Sequence, residues 1–225
     1  MMNKILVVED EDILREVISD YLIENGYQVL EAADGEKALE LFQTNSIDLV
    51  ILDIVLPKLD GWSVCRRIRK SSSIPIIILT ARSDEDDSLL GYELGADDYL
   101  VKPYSPRVLM AKVKRFLEKY SGTIDGMTIS SGGIVINMGS RLVYADGIPI
   151  YLTHTEFEIL VCLMQNKGIV ITREQLIAKV WGYDFYGDEK TVNSHIRNLR
   201  AKLGGKGNCI VTVIRSGYKF EEEQQ

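Results

Sequence analysis

Two stretches of this chain are apolar at every position: Leu49-Val50-Ile51-Leu52 and Ile76-Ile77-Ile78-Leu79. A strand with one wet face alternates polar and apolar residues. A strand without alternation is covered on both faces, as in a parallel sheet sandwiched between helices. The first 120 residues supply those helices. Expected strands at 4–8, 27–31, 48–53, 75–80 and 98–101 alternate with expected helices at 11–25, 34–42, 60–70, 83–94 and 105–120. In the first helix Ile13, Leu14, Val17, Ile18, Tyr21 and Leu22 step at helical spacing. Ser105-Pro106 reads as an N-cap followed by proline at the first helical position. Tandem βα units of this kind predict a flavodoxin-like, doubly wound (βα)5 sheet of order 2-1-3-4-5.

The polar residues that end these strands are the chemical signal. Glu9 and Asp10 close the first apolar run, Asp53 the third, Thr80 the fourth and Lys102 the fifth. Side chains at the carboxyl ends of parallel strands share one crevice, and strands one and three meet at the switch point. Three carboxylates there repel and call for a cation. A hard divalent ion, Mg2+, suits Glu9, Asp10, Asp53 and the Val55 carbonyl. Asp53 then has the makings of a nucleophile toward a phosphoryl group, with Thr80 and Lys102 as its oxygen partners. The plainer alternative makes each acid an ordinary helix N-cap. Complementary chemistry on four strand ends at once argues for a site. Lys102-Pro103 adds an X-Pro bond, the kind that adopts cis.

After residue 121 the rhythm changes. Short expected strands at 127–130, 133–137, 142–144 and 148–152 are parted by Gly-rich turns such as Asp146-Gly147. Capping-box patterns at Thr153–Glu156 and Thr172–Gln175 open two helices, and a third spans about 189–203. Runs at 210–213 and 218–220 pair as a hairpin. Helix, turn, helix, hairpin is a winged-helix pattern, an α+β unit. The expected domains are 1–120, a linker at 121–126, 127–221 and a tail at 222–225.

Charge divides the same way. Residues 1–120 hold 15 basic and 22 acidic residues, while the remainder is balanced at 11 and 11. Between Lys190 and Phe220 lie seven basic residues and no acid, the footprint of a nucleic-acid partner. On the third helix of this half, Val192, Ile196, Leu199 and Leu203 form the buried stripe. Asn193, Ser194, Arg197, Asn198 and Arg200 lie off it, able to face a major groove. A solvated amphipathic helix is the alternative. Cys65, Cys162 and Cys209 match neither a disulfide framework nor a zinc site. No apolar run is long enough to span a bilayer. Met1-Met2-Asn3-Lys4 enters a strand directly, so the expected location is cytoplasmic.

Residues 3–120 resemble the receiver domain of two-component response regulators. The matching residues are Val7-Val8-Glu9-Asp10-Glu11, Leu52-Asp53, Leu79-Thr80-Ala81, Gly95-Ala96-Asp97-Asp98-Tyr99 and Lys102-Pro103. The resemblance implies that Asp53 takes a phosphoryl group from a sensor histidine kinase. It implies that Glu9, Asp10 and Asp53 hold Mg2+, that Thr80 and Lys102 bind the phosphoryl group, and that Tyr99 is the switch aromatic. The second half is similar to the DNA-binding domain of OmpR/PhoB-type transcription factors. Its matching stretches include Thr172-Arg173-Glu174-Gln175-Leu176, Val180-Trp181-Gly182, Thr191-Val192, His195-Ile196-Arg197, Leu199-Arg200 and Gly217-Tyr218.

That resemblance implies phosphate or sugar contacts by Arg173, Trp181, Lys190, His195, Arg197 and Tyr218. It implies base contacts by Ser194, Asn198 and Arg200, and RNA polymerase contact by the loop at 182–189. Ile214 stands where many relatives carry a minor-groove arginine, and Arg215 is one step along. Ser88 and Val108 replace a Lys–Glu pair on the expected dimer face, leaving Asp98–Lys112 and Asp97–Lys119. The expected function is a phosphorylation-activated regulator that dimerises and binds double-stranded promoter DNA. Alternatives are a DNA-binding regulator independent of phosphorylation and a Mg2+-dependent phosphatase. The phosphatase lacks a general acid two positions past Asp53, where Val55 stands.

Overall fold

The computed structural model describes residues 2–81, 94–121, 128–182 and 189–222, with backbone alone at 118–121. The chain forms two compact units, Met1–Ser121 and Gly122–Gln225. The expected helix at 83–94 and most of the loop at 182–189 lie outside the described residues.

The first unit contains β1 (Lys4–Val8), α1 (Asp12–Glu24), β2 (Gln28–Ala32), α2 (Gly35–Thr44), β3 (Leu49–Asp53), α3 (Gly61–Arg69), β4 (Ile76–Thr80), β5 (Asp98–Val101) and α4 (Pro106–Ser121). The strands are parallel in the order β2-β1-β3-β4-β5. The unbroken apolar strands now have a physical account. Alternate residues Ile5, Val7, Leu49, Ile51, Ile77 and Leu79 pack with Ile18 and Leu22 of α1 and with Leu109, Val113 and Phe116 of α4. Their neighbours Leu6, Val8, Val50, Leu52, Ile76 and Ile78 pack with Ala38 of α2 and Val64, Cys65 and Ile68 of α3. One sheet thus separates two cores. β2 begins one residue later than expected. Gly26 turns at φ 86°, and the Tyr27 N–H is taken by the Leu22 carbonyl at 3.2 Å.

The second unit contains β6 (Thr128–Ser131), β7 (Ile134–Asn137), β8 (Leu142–Ala145) and β9 (Ile148–Ile150) in an antiparallel sheet. Then come α5 (His154–Gln165), β10 (Ile171–Thr172), α6 (Arg173–Val180), α7 (Glu189–Leu203), a 3-10 turn (Gly204–Cys209), β11 (Ile210–Val213) and β12 (Gly217–Phe220). Both capping boxes form, Thr153 with Glu156 and Thr172 with Gln175. Lys202 at the end of α7 also reaches Glu156, at 2.6 Å, tying α7 to the start of α5. β10 was not foreseen. It is two residues long, and Thr172 serves at once as its last residue and as the cap of α6. It completes a sheet of order β10-β12-β11.

Candidate functional site

The crevice at the carboxyl edge of the parallel sheet is built by β1, β3, β4 and the turn after β5. β1 and β3 are adjacent, with Val8 opposite Leu52, so the residues that follow them come together. Oxygen atoms of Glu9, Asp10 and Asp53 all lie within 4.8 Å of one another. Glu9 and Asp53 are buried, while Asp10 faces outward. The Lys102 ammonium enters between them, bonding Glu9 at 2.7 Å and also Asp53. The Lys102–Pro103 peptide is cis. The Asp53 carboxylate further accepts the Val55 N–H at 3.0 Å. Thr80 is fully buried at the end of β4, whose Leu79 pairs with Asp53. Tyr99 packs, partly buried, against the core on the α2–α3 side of the sheet.

Burial pushes the Glu9 carboxyl up to about 7, against the pull of its Lys102 hydrogen bond and with the help of the Asp53 charge. Burial works to lower the Lys102 ammonium, but its bonds to Asp53 and Glu9 outweigh that and hold it above its ordinary value. The all-oxygen donor set of Glu9, Asp10 and Asp53 fits a hard divalent cation.

Several supports were not read from the sequence. Arg15 of α1 donates to the Glu9 carbonyl at 2.8 Å and pairs with Asp12, bracing the loop that carries the acids. Gly61 lies so close to the acceptor loop that an added Cβ would meet the Asp53 carbonyl at 2.1 Å. Lys58 bridges to Asp34 at 2.5 Å across the rim. The Tyr104 hydroxyl is buried with no hydrogen-bond partner among the described residues. Burial and the charges of Glu9 and Asp53 raise it. These contacts join distant loops, and only the fold reveals them. Beside the crevice, Leu14, Val17 and Tyr21 of α1 and Leu109 and Met110 of α4 line a groove of about 460 Å3.

The expected dimer-face acids are engaged within this chain. Asp97 is fully buried, held by Arg69 at 2.6 Å and by the Ile76 N–H at 3.0 Å. It clamps α3 to the sheet. Asp98 does pair with Lys112, at 2.8 Å, but within one protomer, and Arg115 joins them at 2.7 Å. The side chain of Lys119 lies outside the described residues, as does Ser88.

In the second unit the stripe Val192, Ile196, Leu199 and Leu203 is buried as read. Asn193 and Arg197 are exposed and Asn198 partly so, while Lys190 and Arg215 are also exposed. His195 and Trp181 are buried core side chains, their rings 5.4 Å apart and tilted. Tyr218 and Ser194 are buried too. Arg200 is held within the chain. Its guanidinium donates to the Ile210 carbonyl at 3.0 and 2.5 Å and to Thr212 at 2.9 Å, fastening β11 to α7. The Tyr218 hydroxyl donates to Asn193 at 2.7 Å, and Arg173 donates to the same oxygen at 3.1 Å. The Arg173 guanidinium also lies over the Tyr218 ring. Helical spacing located the buried stripe but not these cross-element ties, which depend on where the hairpin lands.

Comparison with known proteins places both units. Residues 5–114 match the response regulator receiver domain, and residues 147–220 match the C-terminal domain of transcriptional regulatory proteins. The uncharacterized transcriptional regulatory protein YclJ of Bacillus subtilis is 42% identical over 226 residues, covering 98% of this chain and all of the relative. The chain belongs to the OmpR/PhoB-type response regulators. The sensory transduction protein RegX3 of Mycolicibacterium smegmatis is 40% identical over 228 residues, again covering 98% of this chain and 100% of that one. Among solved structures, a mutant of RitR matches with a TM-score of 0.78 at 28% identity, covering 98% and 99% of the two chains. The Thermotoga maritima response regulator DrrB, an OmpR/PhoB homolog, matches with a TM-score of 0.54 at 33% identity over 98% and 100%. This response regulator is a phosphorylation-activated, DNA-binding transcription regulator. As a family member it takes its signal from a histidine kinase and delivers it to promoter DNA. No described helix is long and apolar enough to cross a membrane.

Proposed function

We propose that Asp53 is the phosphoacceptor and that Glu9, Asp10, Asp53 and the Val55 carbonyl hold Mg2+. The observation that carries this reading is the convergence of three carboxylates with Lys102 at one sheet edge. A carboxylate oxygen of Asp53 attacks phosphorus, the new O–P bond forms as the P–N bond to the kinase imidazole breaks, and the imidazole departs and takes a proton from water. Bound Mg2+ supplies charge neutralisation at the phosphoryl oxygens. Lys102 neutralises a second oxygen once the new group displaces its Asp53 contact. The Thr80 hydroxyl turns toward the phosphoryl group, and Tyr99 moves into the space behind it. The switch selects between two packings of one sheet edge.

The kinase docks on α1 around the exposed Ile13 and Val17, beside the α1–α4 groove. Phosphorylated receivers pair as homodimers, with α4 and β5 in the contact, and α7 enters the major groove of two half-sites. Arg173, Lys190, Asn193, Arg197, Asn198 and Arg215 are the side chains we assign to DNA, with RNA polymerase met through the loop at 182–189. The protein works in the cytoplasm, alongside the DNA it binds. Val55 is 57% exposed beside Asp53 and brings no acid, which speaks against a phosphatase acting on outside substrates.

Phosphate-affinity electrophoresis after treatment with acetyl phosphate and Mg2+ tests the acceptor. Wild type shifts and Asp53→Asn does not. A gel shift on fragments selected from random DNA then reads the output. Equal affinity with and without phosphodonor would remove phosphorylation from the account.

A further inference from the structure

Every nitrogen of the Arg15 guanidinium has a partner. Nη1 donates to the Glu9 carbonyl at 2.8 Å and reaches the Asp10 carbonyl at 3.5 Å. Nε donates to Glu31 of β2 at 3.3 Å, and Nη2 donates to Asp12 at 2.5 Å. The side chain is only 14% exposed, so its fork is largely withdrawn from water. One group thus joins the end of β2, the first turn of α1 and the backbone that carries two of the three crevice acids.

Asp10 is the acid that needs such a support. Lys102 pairs with Glu9 and Asp53. Among the described residues, no ion pair engages the Asp10 carboxylate. Its oxygen nevertheless stands within 4.8 Å of those of Glu9 and Asp53, and like charges at that range repel. Asp10 is exposed, so its carboxylate stands where its backbone puts it. The Glu9 N–H bonds the Ala32 carbonyl at 3.1 Å, and the Arg15 fork takes the two carbonyls that follow. The start of α1 offers no substitute, since Glu11 at its N-cap makes no side-chain capping bond.

A guanidinium beside a cation site would ordinarily weaken it. Here Asp12 and Glu31 offset the charge of Arg15. What remains at the loop is the rigid, planar set of donors that an ammonium lacks.

We propose that Arg15 is a positioning residue for the metal: it presets the Glu9–Asp10 backbone so that Asp10 meets the ion, while its two acid partners cancel the charge that would repel it. The proposal rests on the assignment of Mg2+ to Glu9, Asp10 and Asp53. Partners that orient metal ligands set affinity without touching the ion, and a preset loop has no ordering left to do on binding.

Charge and position predict opposite signs, which makes the test sharp. Mn2+, which suits the same oxygen donors, is titrated into the full-length protein and the free ion is counted by electron paramagnetic resonance. Arg15→Ala and Arg15→Lys should each raise the dissociation constant by about tenfold. An effect of charge alone would tighten binding in Arg15→Ala and leave Arg15→Lys at the wild-type value. A constant at or below that of wild type in either variant therefore overturns the proposal. Should Arg15→Ala fail to fold, the charge-conserving variant decides alone. With acetyl phosphate, the Mg2+ concentration for half-maximal phosphorylation should rise in the same proportion. The plateau rate at saturating Mg2+ should be kept, because Asp53, Thr80 and Lys102 are untouched. A lowered plateau with unchanged Mg2+ dependence overturns the proposal as well. Wild-type protein that leaves all the Mn2+ free overturns the metal assignment itself.

Discussion

The Glu9 carboxyl, pushed up to about 7 by burial, makes the receiver sensitive to pH in a defined direction. In the metal-free protein the folded state keeps this proton well above the ordinary carboxylate range, whereas the unfolded chain releases it near 4.5. The stabilisation is complete below 4.5 and is lost as pH rises through 7. We expect the urea midpoint of the metal-free receiver to be lower at about pH 8 than at about pH 5.5. Magnesium competes with the same proton, so its affinity should climb as pH rises through about 7, read by tryptophan fluorescence titration. Glu9→Gln should flatten both profiles. A second residue-scale expectation concerns Asp97. Arg69→Ala removes the guanidinium that pairs with this buried carboxylate, which should destabilise the receiver by about 3–5 kcal/mol. A chemical denaturation curve within error of wild type would contradict that account.

At the scale of elements, the loop after β3 positions Asp53, the acceptor of our proposal. Gly61→Ala would drive a methyl into the Asp53 and Ile54 backbone, at a cost of about 1–3 kcal/mol. If Asp53 is the acceptor, phosphorylation should slow more than stability alone explains, because the displaced atoms belong to that residue. Time courses with acetyl phosphate measure it. Most elements here were legible in the sequence. The all-apolar runs at 49–52 and 76–79 required a sheet with two covered faces, and the capping boxes at Thr153 and Thr172 marked helix starts within a residue. The crevice was legible too, because strand ends in a parallel sheet converge by topology. What stayed hidden were partners chosen by tertiary contact. Arg200 reads as a base contact on a helical projection, yet the hairpin carbonyl at Ile210 claims it. Asp97 reads as a dimer-face partner of Lys119, and the sequence gives no sign that Arg69 from α3 holds it. His195 and Trp181 read as polar and interfacial, yet each covers the other.

The whole molecule consists of two units with separate cores. Residues 1–121 and 122–225, expressed apart, should each unfold in one cooperative step, followed by circular dichroism. Magnesium should raise the midpoint of the first and leave the second unmoved. A single fused transition that neither fragment reproduces would contradict this. With Arg200 fastened to the hairpin, the α7 side chains our proposal leaves to meet base edges are Asn193, Arg197 and Asn198. Three side chains specify about three base pairs, a word that random sequence spells roughly every 64 positions. A lone copy of this chain is therefore nearly illiterate on a genome. Under that proposal an unambiguous address would take two copies reading in concert, and the burden of choosing a gene would fall on how many molecules stand together.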